Sequence, residues 1–145
     1  MTAGQKLLIA FYALVAAGAL YTTWSQNLAY MNGDGAGVFV TFLQETKANP
    51  ASRSITVDIG FFLLAAAAFM VIEARRLGVR FVWVYILFGF LIAISVTFPL
   101  FMIARELRLV KAPQAGAGWT LTATDLIGLA IVTAVVLSLT GFVLS

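Results

Sequence analysis

Side chains that can do chemistry are few in this chain of 145 residues. It contains six acidic residues, nine basic residues, no cysteine and no histidine. Thiolate nucleophiles, disulfides, Cys/His zinc sites, iron–sulfur clusters and His-ligated haem are therefore excluded. Since the few acids are spread along the chain, we expect neither a metal site nor a cofactor. The carboxylates and the arginines remain as candidates for chemistry.

Asp58 directly precedes the uncharged stretch Ile59–Ile72, which at 14 residues is too short to cross a membrane, so Asp58 or Glu73 must lie about one turn inside the apolar zone, or the bilayer thins locally. An ionised group inside the bilayer costs about 3 kcal/mol, so Asp58 should face other helices or a cavity. Depth counting places it level with Thr97 and with the Ser95 carbonyl, which Pro99 deprives of its helical donor. Two interpretations stay open: a polar pocket at this level, or an interfacial Asp58 that pairs with a nearby arginine.

The segment Glu73-Ala-Arg75-Arg76-Leu-Gly78 is the second candidate. Arginine can grip a phosphate or a carboxylate with two parallel hydrogen bonds, so a lipid headgroup or another anionic ligand could bind here. The alternative is an anchor that only fixes topology. Arg105-Glu106, further on, is typical of a solvated helix end. The candidate ligand-binding residues are Asp58, Thr97, Glu73, Arg75, Arg76 and Arg105.

The composition shows which solvent must surround the helices that position these residues. Apolar residues make up 62% of the chain, charged residues only 10%, and the mean hydropathy is +1.02. A soluble domain carries about 25% charged residues, and a chain this short cannot bury so much apolar surface in one core. We therefore predict an all-α integral membrane protein of one domain, residues 1–145.

Hydrophobic runs predict a four-transmembrane-helix bundle with spans at about 7–28, 50–76, 80–108 and 123–144. The first run, Leu7–Trp24, is expected to stay as a helix rather than to be cleaved as a signal peptide. Val38–Thr46 has amphipathic spacing and predicts a short interfacial helix between spans one and two. Asn49-Pro50 is a typical start for span two.

The short connection from Arg76 to Arg80 predicts an antiparallel hairpin of spans two and three. One side of the membrane then holds four basic residues and the other five, so the positive-inside rule gives no decision. The tight cluster around Arg75 favours its own side as cytoplasmic, with both termini there. The two sets are Lys6, Arg75, Arg76 and Arg80 against Lys47, Arg53, Arg105, Arg108 and Lys111.

Residues 40–110 resemble an uncharacterised family of small bacterial membrane proteins, classed as a domain of unknown function. The resemblance rests on Asn49-Pro-Ala, Asp58, Trp83, Pro99 and Arg105-Glu106, and above all on the segment Glu73–Gly78. It implies an integral protein of the bacterial inner (cytoplasmic) membrane and implies no activity.

Three functions remain open on this sequence. The first is a non-enzymatic accessory subunit of a larger membrane complex, or a binder of a lipid or isoprenoid within the bilayer. The second is an enzyme of isomerase or cyclase type that uses Asp58 as proton donor or acceptor on an apolar terpenoid or lipid. The third is a transporter or channel component. We expect membrane lipids as partners, with a larger complex or a homo-oligomer as further options, and no nucleic acid.

Overall fold

The computed structural model describes residues 1–31 and 35–111, with the single positions 123, 127, 130, 131 and 134. The chain is helical in these parts. The elements are α1 (Ala3–Asn27), a 3-10 turn (Leu28–Tyr30), α2 (Gly35–Glu45), α3 (Pro50–Leu77), α4 (Val82–Phe88), a π-helical segment (Gly89–Ala93) and α5 (Ile94–Lys111). The predicted fourth span, about 123–144, lies outside the continuous part that the structure describes.

Both long N-terminal helices begin where the sequence supplies a cap. In α1, Thr2 Oγ1 accepts from the Gln5 N–H at 3.2 Å, and Gln5 Oε1 accepts from the Thr2 N–H at 2.8 Å, which is a complete capping box. In α3, Asn49 Oδ1 accepts from the Ser52 N–H at 2.9 Å, and Pro50 occupies the first turn. The predicted start of span two is therefore confirmed.

Three helical stretches are long and apolar enough to cross a membrane: Ala3–Tyr30, Pro50–Leu77 and Val82–Lys111. This supports a membrane protein with an all-helical architecture. A helix also lies between the first two stretches, at Gly35–Glu45, near the position predicted from amphipathic spacing. Its placement in the membrane interface stays a prediction.

A tight turn joins α3 to α4. Gly78 ends α3 in the left-handed conformation at φ 68°, where glycine carries no steric penalty. Phe81 adopts φ 60° directly before α4, a conformation that is uncommon for a residue with a side chain. Beyond the turn, Val82 packs against Met70 and Ala74 of α3 in the main hydrophobic core, so α3 and α4 form an antiparallel pair.

The stretch Val82–Lys111 reverses direction at the π-helical segment. The rings of Tyr85 and Phe101 lie 5.8 Å apart between centroids, whereas residues at this separation would be about 24 Å apart along a straight helix. A Cβ built on Gly89 would lie 3.0 Å from Thr97 Oγ1, although eight residues separate these positions. The segment α4–π–α5 is therefore a helical hairpin, named here the folded-back hairpin.

Because of this reversal, α5 runs parallel to α3. The ring of Phe98 lies 6.3 Å from that of Phe62 and 6.1 Å from that of Phe69. Further along both helices, Arg105 contacts Glu73 at 2.7 Å. The prediction that Arg105 lies at the opposite side from Glu73 is therefore wrong. It treated residues 80–108 as one straight span, because an uncharged run reports its length and not whether it turns back.

Helix α1 runs antiparallel to α3 and α5. Tyr12 lies within electrostatic range of Glu106, near the C-terminal end of α5. Tyr30, which follows α1, lines a groove together with Ser52 and Thr56 at the beginning of α3. The N-terminal end of α1 is thus level with the α3–α4 turn. One end of the bundle, the basic end, gathers Lys6, Arg75, Arg76, Arg80, Arg105, Arg108 and Lys111.

Candidate functional site

Glu73 is the centre of a partly buried charge network at the basic end. Its carboxylate accepts hydrogen bonds from Arg76 Nε and Arg76 Nη2, each at 2.8 Å, and from Arg105 Nε at 2.7 Å. Arg76 lies one helical turn away on α3, while Arg105 comes from α5. The bidentate geometry of Arg76 and the opposed approach of Arg105 are typical of strong charge-assisted pairs. Glu73 therefore ties the folded-back hairpin to α3.

Arg105 carries the network one step further. Its Nη1 donates to Glu106 Oε1 at 2.8 Å, so this guanidinium bridges two carboxylates. The Arg105 side chain is 20% exposed and that of Glu106 is fully buried. Two carboxylates and two guanidinium groups balance in charge, which is the condition under which charges persist in a dry interior. We name the four residues Glu73, Arg76, Arg105 and Glu106 the charge network.

One atom of the charge network has no partner within the described part of the chain. Glu106 Oε2 is buried and accepts no hydrogen bond there. Tyr12 of α1 is half-buried and lies within electrostatic range of both Glu106 and Arg105. α1 thus packs against α5 beside the network and brings a phenol close to the buried carboxylate.

The arginines of the basic end that lie outside the charge network are exposed or partly exposed. Arg75 and Arg80 are exposed, and no hydrogen bond or ion pair holds either side chain within residues 1–31 and 35–111. Arg108 follows Arg105 by one turn of α5 and is partly exposed. The basic end therefore combines two arginines that are paired with carboxylates, Arg76 and Arg105, with the outer arginines Arg75, Arg80 and Arg108, whose donors remain available to an anion.

Asp58 and Thr97, the other predicted ligand-binding residues, are not brought together. The Asp58 side chain is exposed on α3, and no hydrogen bond joins it to any described residue. Thr97 is buried against Gly89 in the folded-back hairpin, where its hydroxyl donates to the Ala93 carbonyl at 3.5 Å. The hydroxyl is thus used within its own helix, and the geometry gives the predicted polar pocket no support.

Glu106 is the residue that sequence reasoning missed. Arg105-Glu106 was interpreted as a solvated helix end, whereas Glu106 is 0% exposed. The signal was present in the spacing, since Glu106 follows Met102 by four residues and precedes Leu109 by three. Both neighbours face inward, Met102 against the core and Leu109 buried, so the same helix face carries Glu106 inward.

The charge network joins α3 to α5. Within the described residues no group of three acidic, His or Cys side chains could hold a metal ion. Each carboxylate of the network is engaged by arginine, an arrangement that suits permanent neutralisation of charge. The chemistry that remains available is recognition of an anion by the outer arginines.

A scan of known families matches residues 11–107 to one described as protein of unknown function DUF2834. The match contains the whole charge network, the α3–α4 turn and all but the last four residues of the folded-back hairpin. No curated protein matches the chain, and no solved structure matches it. Since the match covers more than half of the 145 residues, the chain belongs to the DUF2834 family, in agreement with the resemblance to an uncharacterised family.

Proposed function

We propose that this is a non-enzymatic integral membrane protein that binds an anionic phospholipid headgroup at its basic end. The observation that carries the proposal is the pair Arg75 and Arg80, both exposed and without an acidic partner in the described parts of the chain. They flank the α3–α4 turn, where an apolar helix meets its polar end. A phosphate bound by both side chains would meet two guanidinium forks.

The charge balance of the basic end supports this proposal. Seven of the nine basic residues gather there, namely Lys6, Arg75, Arg76, Arg80, Arg105, Arg108 and Lys111. Two carboxylates, Glu73 and Glu106, face them, so a net charge of +5 remains (7 minus 2) on the residues that the structure places there. Each Lys or Arg near a headgroup layer is worth about 1 kcal/mol of attraction to anionic lipid. The charge network pairs Arg76 and Arg105 with carboxylates, so Arg75, Arg80 and Arg108 remain for lipid.

The same grouping supports an orientation. The two basic residues at the other end are Lys47 and Arg53. The straight-span prediction gave four against five, whereas the folded-back hairpin gives seven against two. Positive charge concentrates on the cytoplasmic side of membrane proteins, so we propose that the basic end and the N-terminus face the cytoplasm. The bacterial inner membrane remains the proposed location, on the resemblance alone.

The test is native mass spectrometry of the protein extracted in mild detergent, with phosphatidylglycerol as the probe lipid. Arg75→Gln/Arg80→Gln removes two outer arginines, and we expect bound phosphatidylglycerol to fall about tenfold or more, as two charges at ~1 kcal/mol each imply. Lys47→Gln/Arg53→Gln removes the same charge at the opposite end and should keep the lipid. Arg75→Lys/Arg80→Lys should bind at an intermediate level because lysine lacks the planar fork.

Two outcomes would contradict the proposal. In one, the Arg75→Gln/Arg80→Gln protein retains as much phosphatidylglycerol as the parent. In the other, both Gln pairs lose it equally, which would show general electrostatic attraction without a site. A larger protein that co-purifies in a fixed ratio, with no bound lipid, would point to the accessory-subunit hypothesis instead.

A further inference from the structure

A groove lies at the opposite end of the bundle from the charge network. It has a volume of about 590 Å³ and is lined by residues of the 3-10 turn, α2, the α2–α3 connection and the first turns of α3. This volume lies within the range of about 300–1,000 Å³ that is usual for small-ligand sites. The lining residues used below are Tyr30, Phe42, Glu45, Ser52 and Ile55.

Glu45 gives the groove its charge. Its Oε2 accepts a hydrogen bond from the Tyr30 hydroxyl, which fixes the carboxylate without neutralising it. The nearest arginine along the chain, Arg53, donates its Nη1 to the Lys47 carbonyl at 2.9 Å instead of to Glu45. No ion pair within the described ranges involves Glu45. The Glu45 carboxylate therefore has no ion-pair partner among the described side chains and keeps free acceptor capacity at the groove.

Aromatic rings form the wall beside this carboxylate. Tyr30 and Phe42 meet edge to face, with ring centroids 5.6 Å apart at an interplanar angle of 84°. A carboxylate beside aromatic faces is favourable for an organic ammonium group, through charge-assisted hydrogen bonds and cation–π attraction. The groove thus selects for a cation that is larger than a metal ion and carries N–H donors.

The position of the groove indicates which class of molecule the ammonium group belongs to. Ser52 lies in the first turn of α3, and Ile55, which is 61% exposed, follows it along the helix toward the uncharged stretch Ile59–Ile72. The groove therefore runs from a polar end at Glu45 to an apolar end at Ile55. A headgroup layer above acyl chains has the same polarity, and tyrosine is enriched at this depth.

We infer that this groove binds the headgroup of an aminophospholipid, with its primary ammonium on Glu45 and beside the Tyr30 and Phe42 rings. The acyl chains extend along Ile55 toward the apolar part of α3. This site is independent of the anionic-lipid site, because it lies at the other end of the bundle and has the opposite charge.

The experiment compares lipids with identical acyl chains, phosphatidylethanolamine and phosphatidylglycerol, added to the delipidated full-length protein and counted by native mass spectrometry. The parent should bind phosphatidylethanolamine at this site, and Glu45→Gln should weaken that binding about tenfold, the effect of one charge-assisted contact. Tyr30→Phe should weaken it less, since the carboxylate stays charged. Asp58→Asn is the matched control, because it removes an exposed acid of α3 that does not line the groove.

The inference is overturned if Glu45→Gln binds phosphatidylethanolamine as tightly as the parent, or if Asp58→Asn weakens binding equally. Soluble phosphoethanolamine tests whether the groove binds a lipid or a free amine, because it carries the same ammonium group without acyl chains. It should fail to displace the lipid at equal concentration, because it lacks the acyl chains that contact Ile55. Displacement at equal concentration would show a site for a free amine and overturn the lipid assignment. Loss of phosphatidylglycerol in Arg75→Gln/Arg80→Gln tests only the other site, so the two proposals fail separately.

Discussion

Glu73 and Arg105 lie 32 residues apart in the sequence and are joined by a 2.7 Å ion pair between two parallel helices. Only the reversal at Gly89–Ala93 allows this contact, since a straight helix from Val82 would carry Arg105 to the far end of α3. The pair therefore defines both the shape of the folded-back hairpin and the concentration of positive charge at one end. Most of the predictions below follow from this relationship.

The first prediction concerns the energy of this pair. Glu73→Leu leaves Arg105 with Glu106 alone in a largely buried position, and we expect a loss of about 3–5 kcal/mol in the free energy of unfolding. In a Glu106→Gln background, where loss of Arg105 strands no buried carboxylate, Glu73→Leu/Arg105→Leu should be more stable than Glu73→Leu, because neither Arg105 nor an acid is left buried without a charged partner. Unfolding in mixed micelles at increasing SDS fraction measures both. A double variant that loses the sum of the two single losses would show that the pair is not coupled.

The second prediction ranks the two carboxylates of the charge network. Glu73 accepts three arginine hydrogen bonds and Glu106 accepts one, with Glu106 Oε2 unpartnered in the described structure. Glu106→Gln keeps an acceptor for Arg105 and places an amide where the unpartnered oxygen lay. We expect it to cost less than about 1 kcal/mol, and Glu73→Gln to cost clearly more. Unfolding in the same mixed micelles measures both losses. A larger loss for Glu106→Gln than for Glu73→Gln would contradict the described network.

The third prediction concerns the close approach inside the folded-back hairpin. A methyl group at Gly89 would meet Thr97 Oγ1 at 3.0 Å and Ile94 Cδ1 at 3.3 Å. Gly89→Ala should therefore destabilise the protein by about 1–3 kcal/mol, the usual cost of overpacking. Gly89→Ala/Thr97→Ala removes the nearest atom and should recover part of that loss. Gly18→Ala and Gly60→Ala are controls, because nothing lies within 4 Å of a Cβ at either position. Equal losses in all three alanine variants would contradict the hairpin.

How far the sequence could predict this molecule is best seen at two places. Asn49 and Pro50 are local signals, and they located the start of α3 correctly because a helix cap depends only on its neighbours. Whether residues 80–108 form one straight helix or a hairpin depends on the close approach of Gly89 and Thr97, which no local sequence pattern predicts. Hydrophobic length cannot distinguish a straight helix from a folded one. The side assigned to Arg105 was wrong for that reason.

The candidate site likewise contains some residues that local sequence spacing groups correctly and others that only tertiary contacts bring together. Glu73, Arg75 and Arg76 were predicted together because they lie within one helix turn, where spacing alone brings side chains near each other. The partnership with Arg105 and the burial of Glu106 are tertiary, so the sequence offered only the inward face shared with Met102 and Leu109. Asp58 was judged by its apolar surroundings in sequence, yet its side chain is exposed outward from α3.

The central claim, that α5 returns to the end of the bundle that holds Arg75 and Arg80, is tested most directly by cysteine accessibility. The chain contains no cysteine, so Arg80→Cys, Lys111→Cys and Gln44→Cys each provide a single reporter without further changes. In sealed vesicles treated with an impermeant maleimide, the Arg80 and Lys111 reporters should be labelled from the same face. The Gln44 reporter should be labelled from the other face. Labelling of the Lys111 reporter from the face of the Gln44 reporter, opposite to the Arg80 reporter, would mean a straight third span and would contradict the account.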